Sequence, residues 1–151
     1  MLLCELLAPQ RIKLPITGRD KGAVLRELVA LVAKDGEPEF DDIFRAVEER
    51  ERVLSTGIGH GVAIPHGKSS RVQQLRIAAG ASPAPVAFDA LDGQPVRLFF
   101  LLIGPEHLPG DDVKALSRIS RLVRREPFRE KLLTARDAEE FYRFLCEAES
   151  R

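Results

Sequence analysis

Apolar side chains recur every three or four residues in five parts of the chain, which is the spacing of one face of a helix. Pro127 suits the first turn of a short helix, and Asp137 with Glu140 three residues later has the pattern of a capping box. The predicted helices cover about 20–34, a stretch from Asp41 or Asp42 to about Val53, about 111–125, about 127–133, and a last helix after Asp137.

Shorter apolar segments between these helices predict β-strands. Residues 12–16 alternate between apolar and polar, and Pro15 indicates a strand at the edge of a sheet. A strand is predicted over 96–103, and its residues 98–103 are apolar without a break, which predicts a central strand covered on both faces. Two more strands are predicted over 75–81 and 86–88, and Asp92-Gly93 is a turn signal. This order of elements favours an α/β fold with a single mixed sheet flanked by helices on both faces.

Composition restricts the class of protein. The chain has 151 residues, and its 23 basic side chains balance its 23 acidic ones, which argues against a nucleic-acid binder. No apolar run approaches the ~20 residues of a membrane span, and residues 1–7 lack the basic lead of a signal peptide. We therefore expect one soluble cytoplasmic domain over 1–151 without direct membrane insertion. Cys4 and Cys146 lie near opposite ends, and we expect both to be reduced thiols.

The segment from Arg50 to Lys68 gathers most of the candidate chemistry. Three glycines at alternating positions predict an open loop whose backbone N–H groups can form a nest for an anion. A tight connection between a helix and a strand remains the alternative explanation for these glycines. The candidate phosphate-site groups are the hydroxyl of Thr56, the backbone of Gly57, Gly59 and Gly61, the ring of His60, and the cations of Arg50 and Lys68.

His66 stands between Pro65 and Gly67, which stiffen its approach and leave its ring uncrowded. A neutral imidazole can act as a nucleophile, and nearby cations and N–H groups favour the charge of an attached phosphoryl group. The local set has too few ligands for zinc, so we expect no metal and no cofactor. A structural or incidental histidine remains the alternative on these residues alone.

Two blocks carry a family resemblance. Residues 50–51 with 55–68, ending in Ala-Ile-Pro-His-Gly-Lys, resemble the active-site signature of enzyme IIA domains of the bacterial phosphoenolpyruvate-dependent phosphotransferase system, fructose/mannitol type. Residues 88–96 resemble the second characteristic stretch of that family. The Ser-Thr-Gly-Ile-Gly run and the stand-alone domain are most similar to the nitrogen-regulatory (PtsN-like) branch.

The resemblance implies a five-stranded mixed sheet and a phosphotransferase role for His66, with Arg50 as the active-site arginine. The implied donor is a histidine-containing phosphocarrier protein, HPr or its nitrogen-branch paralogue. The implied role is nitrogen or metabolic regulation, in which phosphorylation controls binding to regulated target proteins.

One position departs from the family pattern. Asp112 stands where the family places a second histidine close to the phosphorylated one. Its carboxylate could repel a phosphohistidine or could hydrogen-bond His66, and His60 or His107 could fill the gap. Two alternative functions therefore stay open: a non-catalytic regulatory interaction module with impaired phosphotransfer, and a sugar-specific enzyme IIA that passes phosphate to a separate enzyme IIB.

Overall fold

The computed structural model describes residues 2–107 and 110–150. Within these residues the chain forms six α-helices and six β-strands, together with a short 3₁₀ turn over Pro9–Arg11. The helices are α1 (Leu3–Leu6), α2 (Lys21–Val29), α3 (Pro38–Val53), α4 (Asp111–Val123), α5 (Glu126–Leu133) and α6 (Ala138–Glu149). The strands are β1 (Ile12–Lys13), β2 (Gly57–Gly59), β3 (Val62–Ala63), β4 (His66–Ser69), β5 (Arg76–Val86) and β6 (Val96–Pro105).

All of these strands join one mixed sheet. The order is β1-β5-β6-β3-β2, and β4 also pairs with β6. Strand β6 runs antiparallel to β5 and parallel to β3 and β4, so it is the centre of the sheet, while β1 lies at an edge. The mixed sheet, its central strand and its edge strand are confirmed. The count of five strands is wrong for the described residues, because β2, β3 and β4 are separate short strands.

Helices cover both faces of the sheet, as predicted. Alternate side chains of β6 point to opposite faces because a strand has a period of two residues. Leu98, Phe100 and Leu102 pack with residues of α4, α5 and α6, whereas Phe99 and Leu101 pack with residues of α2 and α3. Each of these β6 side chains is at most 1% exposed, which explains why the strand shows no polar alternation.

Aspartate side chains cap the N-termini of two helices. The carboxylate of Asp20 accepts a hydrogen bond from the Ala23 N–H at the start of α2. Asp137 likewise accepts from the Glu140 N–H at the start of α6. The predicted capping box is only half formed, because the Glu140 carboxylate accepts from the N–H of Arg136 instead of Asp137.

The glycine-rich segment differs from the open loop expected of it. Residues 57–63 form a β-hairpin in which β2 pairs antiparallel with β3. His60 and Gly61 have φ values of 59° and 75°, and two successive residues with positive φ make the tight turn that suits a two-residue hairpin. The glycines therefore serve strand pairing and a turn, and the predicted freedom to adopt positive φ is used there.

The long strand β5 also differs from the prediction. The sequence predicts two strands over 75–81 and 86–88, but one strand, Arg76–Val86, runs through most of the first and ends at Val86, the first residue of the second. An irregularity in its pairing with β6 falls between Ala81 and Val86. That irregularity explains why the apolar pattern is interrupted there without ending the strand.

The expectation of two reduced thiols is wrong. Cys4 and Cys146 form a disulfide that joins α1 to α6, with Cα atoms 5.3 Å apart. The Glu149 carboxylate reinforces this contact by accepting hydrogen bonds from the N–H groups of Leu3 and Cys4, at 2.8 and 2.7 Å. The two ends of the chain are thus held together across a sequence separation of 142 residues.

Candidate functional site

A cleft of about 620 Å³ lies between the second half of α3, strand β4 and the start of α4. Four residues singled out from the sequence meet there: Arg50, His66, Lys68 and Asp112. The other described residues that line it are Ala46, Glu49, Val53, Gly67, Leu102, Val113 and Leu116.

Gly67 sets the distance between α3 and the cleft floor. A Cβ atom on Gly67 would lie 3.2 Å from the Ala46 carbonyl carbon and the Val47 nitrogen, so a larger residue would push the helix away. Arg50 follows Ala46 by four residues and therefore lies on the same helix face, one turn further along. The close packing at Gly67 thus brings the Arg50 guanidinium to the cleft that contains His66.

Gly104 sets the distance between β6 and the opposite wall of the cleft, which is the start of α4. It pairs with Lys68 in the parallel register of β4 and β6. A Cβ atom on Gly104 would lie 3.3 Å from the Cβ of Asp112, so the missing side chain makes room for the first turn of α4. This arrangement places the Asp112 carboxylate 3.8 Å from the Lys68 ammonium.

His66 opens β4 and is half-buried. Its Nδ1 lies 2.9 Å from the carbonyl oxygen of Ile64. A carbonyl oxygen can only accept, so the hydrogen bond requires the proton on Nδ1. In the neutral ring, Nε2 then carries the free lone pair.

The cleft combines charge with an apolar rim. Arg50 donates from Nη1 to the Leu54 carbonyl oxygen at 2.8 Å, which fixes the guanidinium near the end of α3. Val53 and Val113 lie on opposite walls and are 81% and 63% exposed. The charged centre of the cleft is therefore flanked on both sides by exposed aliphatic side chains.

Thr56 is placed away from the cleft lining and is buried. Its backbone N–H and its hydroxyl donate to the carboxylate of Glu51 at 2.9 and 2.6 Å. Lys21 forms an ion pair with the same carboxylate at 2.9 Å. These contacts tie the end of α3 to the start of β2, so the Thr56 hydroxyl is already engaged in a structural interaction.

The remaining candidates are not among the described residues that line the cleft. Gly57 packs against Ala90, where a Cβ would approach to 2.7 Å, and Gly59 lies beside Asp92. His60 is exposed at the hairpin turn, and neither it nor Gly61 is among the residues that line the cleft. His107 is exposed and outside that lining as well. The cleft geometry gives no support to a phosphate-binding role for these residues.

Sequence reasoning missed three contributions to the site. Gly104 directly follows the predicted strand and gave no sign of a contact with α4, while Val53 and Val113 fitted ordinary helical stripes. Strand β6 extends to Pro105, so Gly104 lies inside it, and a glycine within a strand is a signal for close backbone approach.

Two negative findings concern residues 2–107 and 110–150. They contain no group of three or more histidine, cysteine or acidic side chains arranged to hold a metal ion. They also contain no helix with the length and apolar character needed to cross a bilayer.

A family comparison matches almost the whole chain. The family model described as "Phosphoenolpyruvate-dependent sugar phosphotransferase system, EIIA 2" matches residues 5–148. The chain is 37% identical over 146 residues to the "Nitrogen regulatory protein" of Bradyrhizobium diazoefficiens, covering 97% of this chain and 95% of the relative. It is 40% identical over 136 residues to the "PTS system fructose-specific EIIABC component" of Bacillus subtilis, covering 89% of this chain and 21% of that larger protein.

A solved structure shares the fold. The crystal structure of "Nitrogen Regulatory Protein IIA-Ntr" from Neisseria meningitidis superposes with a TM-score of 0.88 at 35% identity. The match covers 95% of this chain and 98% of that one. The similarity therefore extends over nearly the whole length of both chains.

Proposed function

Because the chain belongs to the EIIA 2 family of the phosphoenolpyruvate-dependent sugar phosphotransferase system, we propose that His66 accepts a phosphoryl group from a histidine phosphocarrier protein. The observation that carries this proposal is the hydrogen bond from His66 Nδ1 to the Ile64 carbonyl oxygen, inside a cleft that also holds two cations. It selects the tautomer whose Nε2 lone pair is nucleophilic.

The proposed reaction is a phosphoryl exchange between two imidazoles. The Nε2 lone pair of His66 forms the new N–P bond while the N–P bond of the carrier breaks, and its electron pair returns to the carrier's imidazole. No proton has to leave His66, because Nδ1 keeps its hydrogen on the Ile64 carbonyl oxygen. Catalysis then depends on position and on charge stabilisation.

Arg50 and Lys68 are the groups proposed to bind the phosphoryl oxygens. The guanidinium of Arg50 carries five N–H donors, and the bond from Nη1 to the Leu54 carbonyl oxygen uses one of them. Lys68 lies two residues beyond His66 on β4, so the two side chains share a face of that strand. Both cations can therefore reach a group attached to His66.

A protein surface is the donor that the rim of the cleft fits best. Val53 and Val113 present exposed aliphatic groups on either side of the charged centre. A docked carrier would cover them and exclude water from the transferring group. We propose HPr or a nitrogen-branch paralogue as the carrier, in the cytoplasm.

The proposed biological role is regulation through the charge of His66. A phosphoryl group adds up to two negative charges to a chain with zero formal net charge, at the centre of the proposed docking surface. Some target proteins would bind only the unmodified cleft, and others would bind only the phosphorylated cleft. Similarity to a nitrogen regulatory protein over 97% of this chain supports this role.

The experiment is incubation with phosphoenolpyruvate, enzyme I and a carrier, followed by intact mass spectrometry. We expect a gain of one phosphoryl group that is lost in His66→Ala and kept in His60→Ala. The proposal fails if no carrier, HPr or nitrogen paralogue, transfers to a folded wild-type protein. The alternative of a non-catalytic interaction module would then be favoured.

A sugar-specific enzyme IIA is the second candidate, favoured by the 40% identity to a fructose-specific EIIABC protein. The two functions differ in where the phosphoryl group goes next. Adding a purified fructose enzyme IIB to the phosphorylated protein distinguishes them: rapid, complete loss of the phosphoryl group indicates sugar transport, and retention indicates regulation.

A further inference from the structure

We propose that Asp112 sets the phosphoryl-transfer equilibrium by competing with the phosphoryl group for Lys68. The inference rests on the proposed function, since it concerns the energy of the phosphorylated state. Asp112 would hold Lys68 while His66 is unmodified, and Lys68 would turn to the phosphoryl oxygens after transfer. The carboxylate would then be left without its cation in a cleft that has gained negative charge.

The pairing of Lys68 with Asp112 is loose enough to exchange. The Lys68 Nζ and Asp112 Oδ2 atoms are 3.8 Å apart, and the lysine side chain is 49% exposed. Exposed ion pairs of this kind contribute little to stability. Lys68 can therefore leave Asp112 for a phosphoryl group, which carries a larger charge and three acceptor oxygens.

Asp112 itself is held in place. Its side chain is 22% exposed, and Oδ1 accepts from the Gly110 N–H at 3.3 Å. Its Cβ lies against Gly104 on the central strand, so the first turn of α4 cannot move closer to the sheet. The carboxylate is thus a fixed negative charge on the wall of the cleft.

Distance makes this charge relevant to His66. Asp112 packs against Gly104, which pairs with Lys68, whereas His66 pairs with Leu102, two residues earlier on β6. Residues two apart on a strand are separated by roughly 7 Å, which is comparable to the ~8 Å Debye length at physiological ionic strength. Asp112 therefore destabilises the phosphorylated state but is neutralised in the unmodified one.

The test measures the equilibrium constant for exchange between phosphorylated carrier and this protein, approached from both directions by intact mass. Asp112→Asn keeps the size and an acceptor oxygen for Gly110 and removes the charge. We expect it to raise the equilibrium constant about tenfold at low salt, with a smaller effect at high salt. Asp111→Asn is the matched control, because Asp111 lies in the same helical turn, is exposed and is not among the cleft-lining residues.

A double-mutant cycle identifies the competition for Lys68. In the wild type, Lys68→Gln removes both the contact with the phosphoryl group and the contact with Asp112, so part of its effect cancels. In the Asp112→Asn background only the contact with the phosphoryl group remains to be lost. We therefore expect Lys68→Gln to lower the equilibrium constant about two- to threefold more in that background than in the wild type.

The outcomes separate this inference from the proposed function. If wild type and Asp112→Asn are phosphorylated with the same equilibrium constant, the inference is wrong and the proposed function stands. Additive effects of Lys68→Gln and Asp112→Asn also overturn it. If neither the wild type nor any folded variant is phosphorylated, the proposed function itself fails.

Discussion

The carboxylate of Glu51 is the clearest case in which one buried side chain should control stability. Glu51 is 5% exposed and receives two hydrogen bonds from Thr56 as well as the ammonium of Lys21. It belongs to the last turn of α3, next to Arg50, and its partners are Thr56, just before β2, and Lys21, the first residue of α2. Removing it with Glu51→Ala leaves two buried donors of Thr56 without their acceptor, and leaves Lys21 with its longer contact of 3.9 Å to Asp89.

The expected loss follows from those contacts. Hydrogen bonds to charged groups contribute about 1.5–3 kcal/mol each, and breaking a buried ion pair from one side costs about 3–5 kcal/mol. Because the three contacts share one carboxylate, they do not add, and we expect Glu51→Ala to lower the free energy of unfolding by about 3–5 kcal/mol. For a chain of this size that corresponds to a decrease in Tm of about 6–20 °C.

The assay is urea and thermal unfolding followed by circular dichroism. Glu48→Ala is the control on the same helix, because Glu48 makes a surface ion pair with Arg52 at 3.0 Å and should change stability by less than about 1 kcal/mol. Thr56→Val should lie between the two, since it removes the hydroxyl but keeps the N–H. A Glu51→Ala protein as stable as Glu48→Ala would refute the argument that this carboxylate organises the end of α3.

Three further predictions test other parts of the structure. Replacing Cys4 and Cys146 with serine should lower stability by up to about 5 kcal/mol on chain-entropy grounds, because the bridge spans a sequence separation of 142 residues. Unchanged unfolding in a thiol reductant would argue against the bridge. Burial raises the pKa of Glu27, but hydrogen bonds from Thr17 and Gly18 and the Lys13 ammonium outweigh it, so the net pKa is lowered. Glu27→Gln should therefore be less stable than wild type above about pH 4.5, as measured by urea unfolding. This difference in stability should vanish as the pH falls through the lowered pKa of Glu27. A difference that stays constant with pH would contradict this assignment. Gly67→Ala should lower stability by about 1–3 kcal/mol and should also reduce phosphoryl acceptance, because the added Cβ meets the backbone of α3. A fully active variant would show that α3 can shift freely.

The sheet and helices were largely readable from the sequence because their patterns are local. The unbroken apolar run 98–103 predicted a central strand, and β6 is that strand. Helix α3 ends at Val53, where the apolar stripe stops. These elements obey periodicities that any window of a dozen residues reveals.

The features that the sequence did not reveal depend on contacts between distant segments. The Cys4–Cys146 bridge requires α1 to pack on α6, and no local pattern predicts which helices meet. The hairpin over 57–63 was missed because the His60-Gly61 turn was interpreted as part of a flexible glycine loop. A tight hairpin needs the same backbone freedom as an anion nest, so the glycines alone could not separate the two.

The candidate site could be predicted only in part, because some of its contacts are local in the sequence and others join distant segments. His66 lies inside the specific Ala-Ile-Pro-His-Gly motif, and Arg50 lies on α3, the helix that precedes this motif. The partnership of Lys68 with Asp112 depends on Gly104, which lies on another strand and lets α4 approach. Through that contact Asp112, the residue that departs from the family pattern, forms an ion pair with Lys68.

The central claim is that Nε2 of His66 receives the phosphoryl group. Two-dimensional ¹H–¹⁵N NMR of the imidazoles, recorded before and after phosphorylation by the carrier, tests it most directly. We predict that His66 alone changes, with phosphorus bonded to Nε2 and a proton retained on Nδ1 facing the Ile64 carbonyl oxygen. Phosphorus on Nδ1 of His66, or on His60 or His107 with His66 unchanged, would contradict the account.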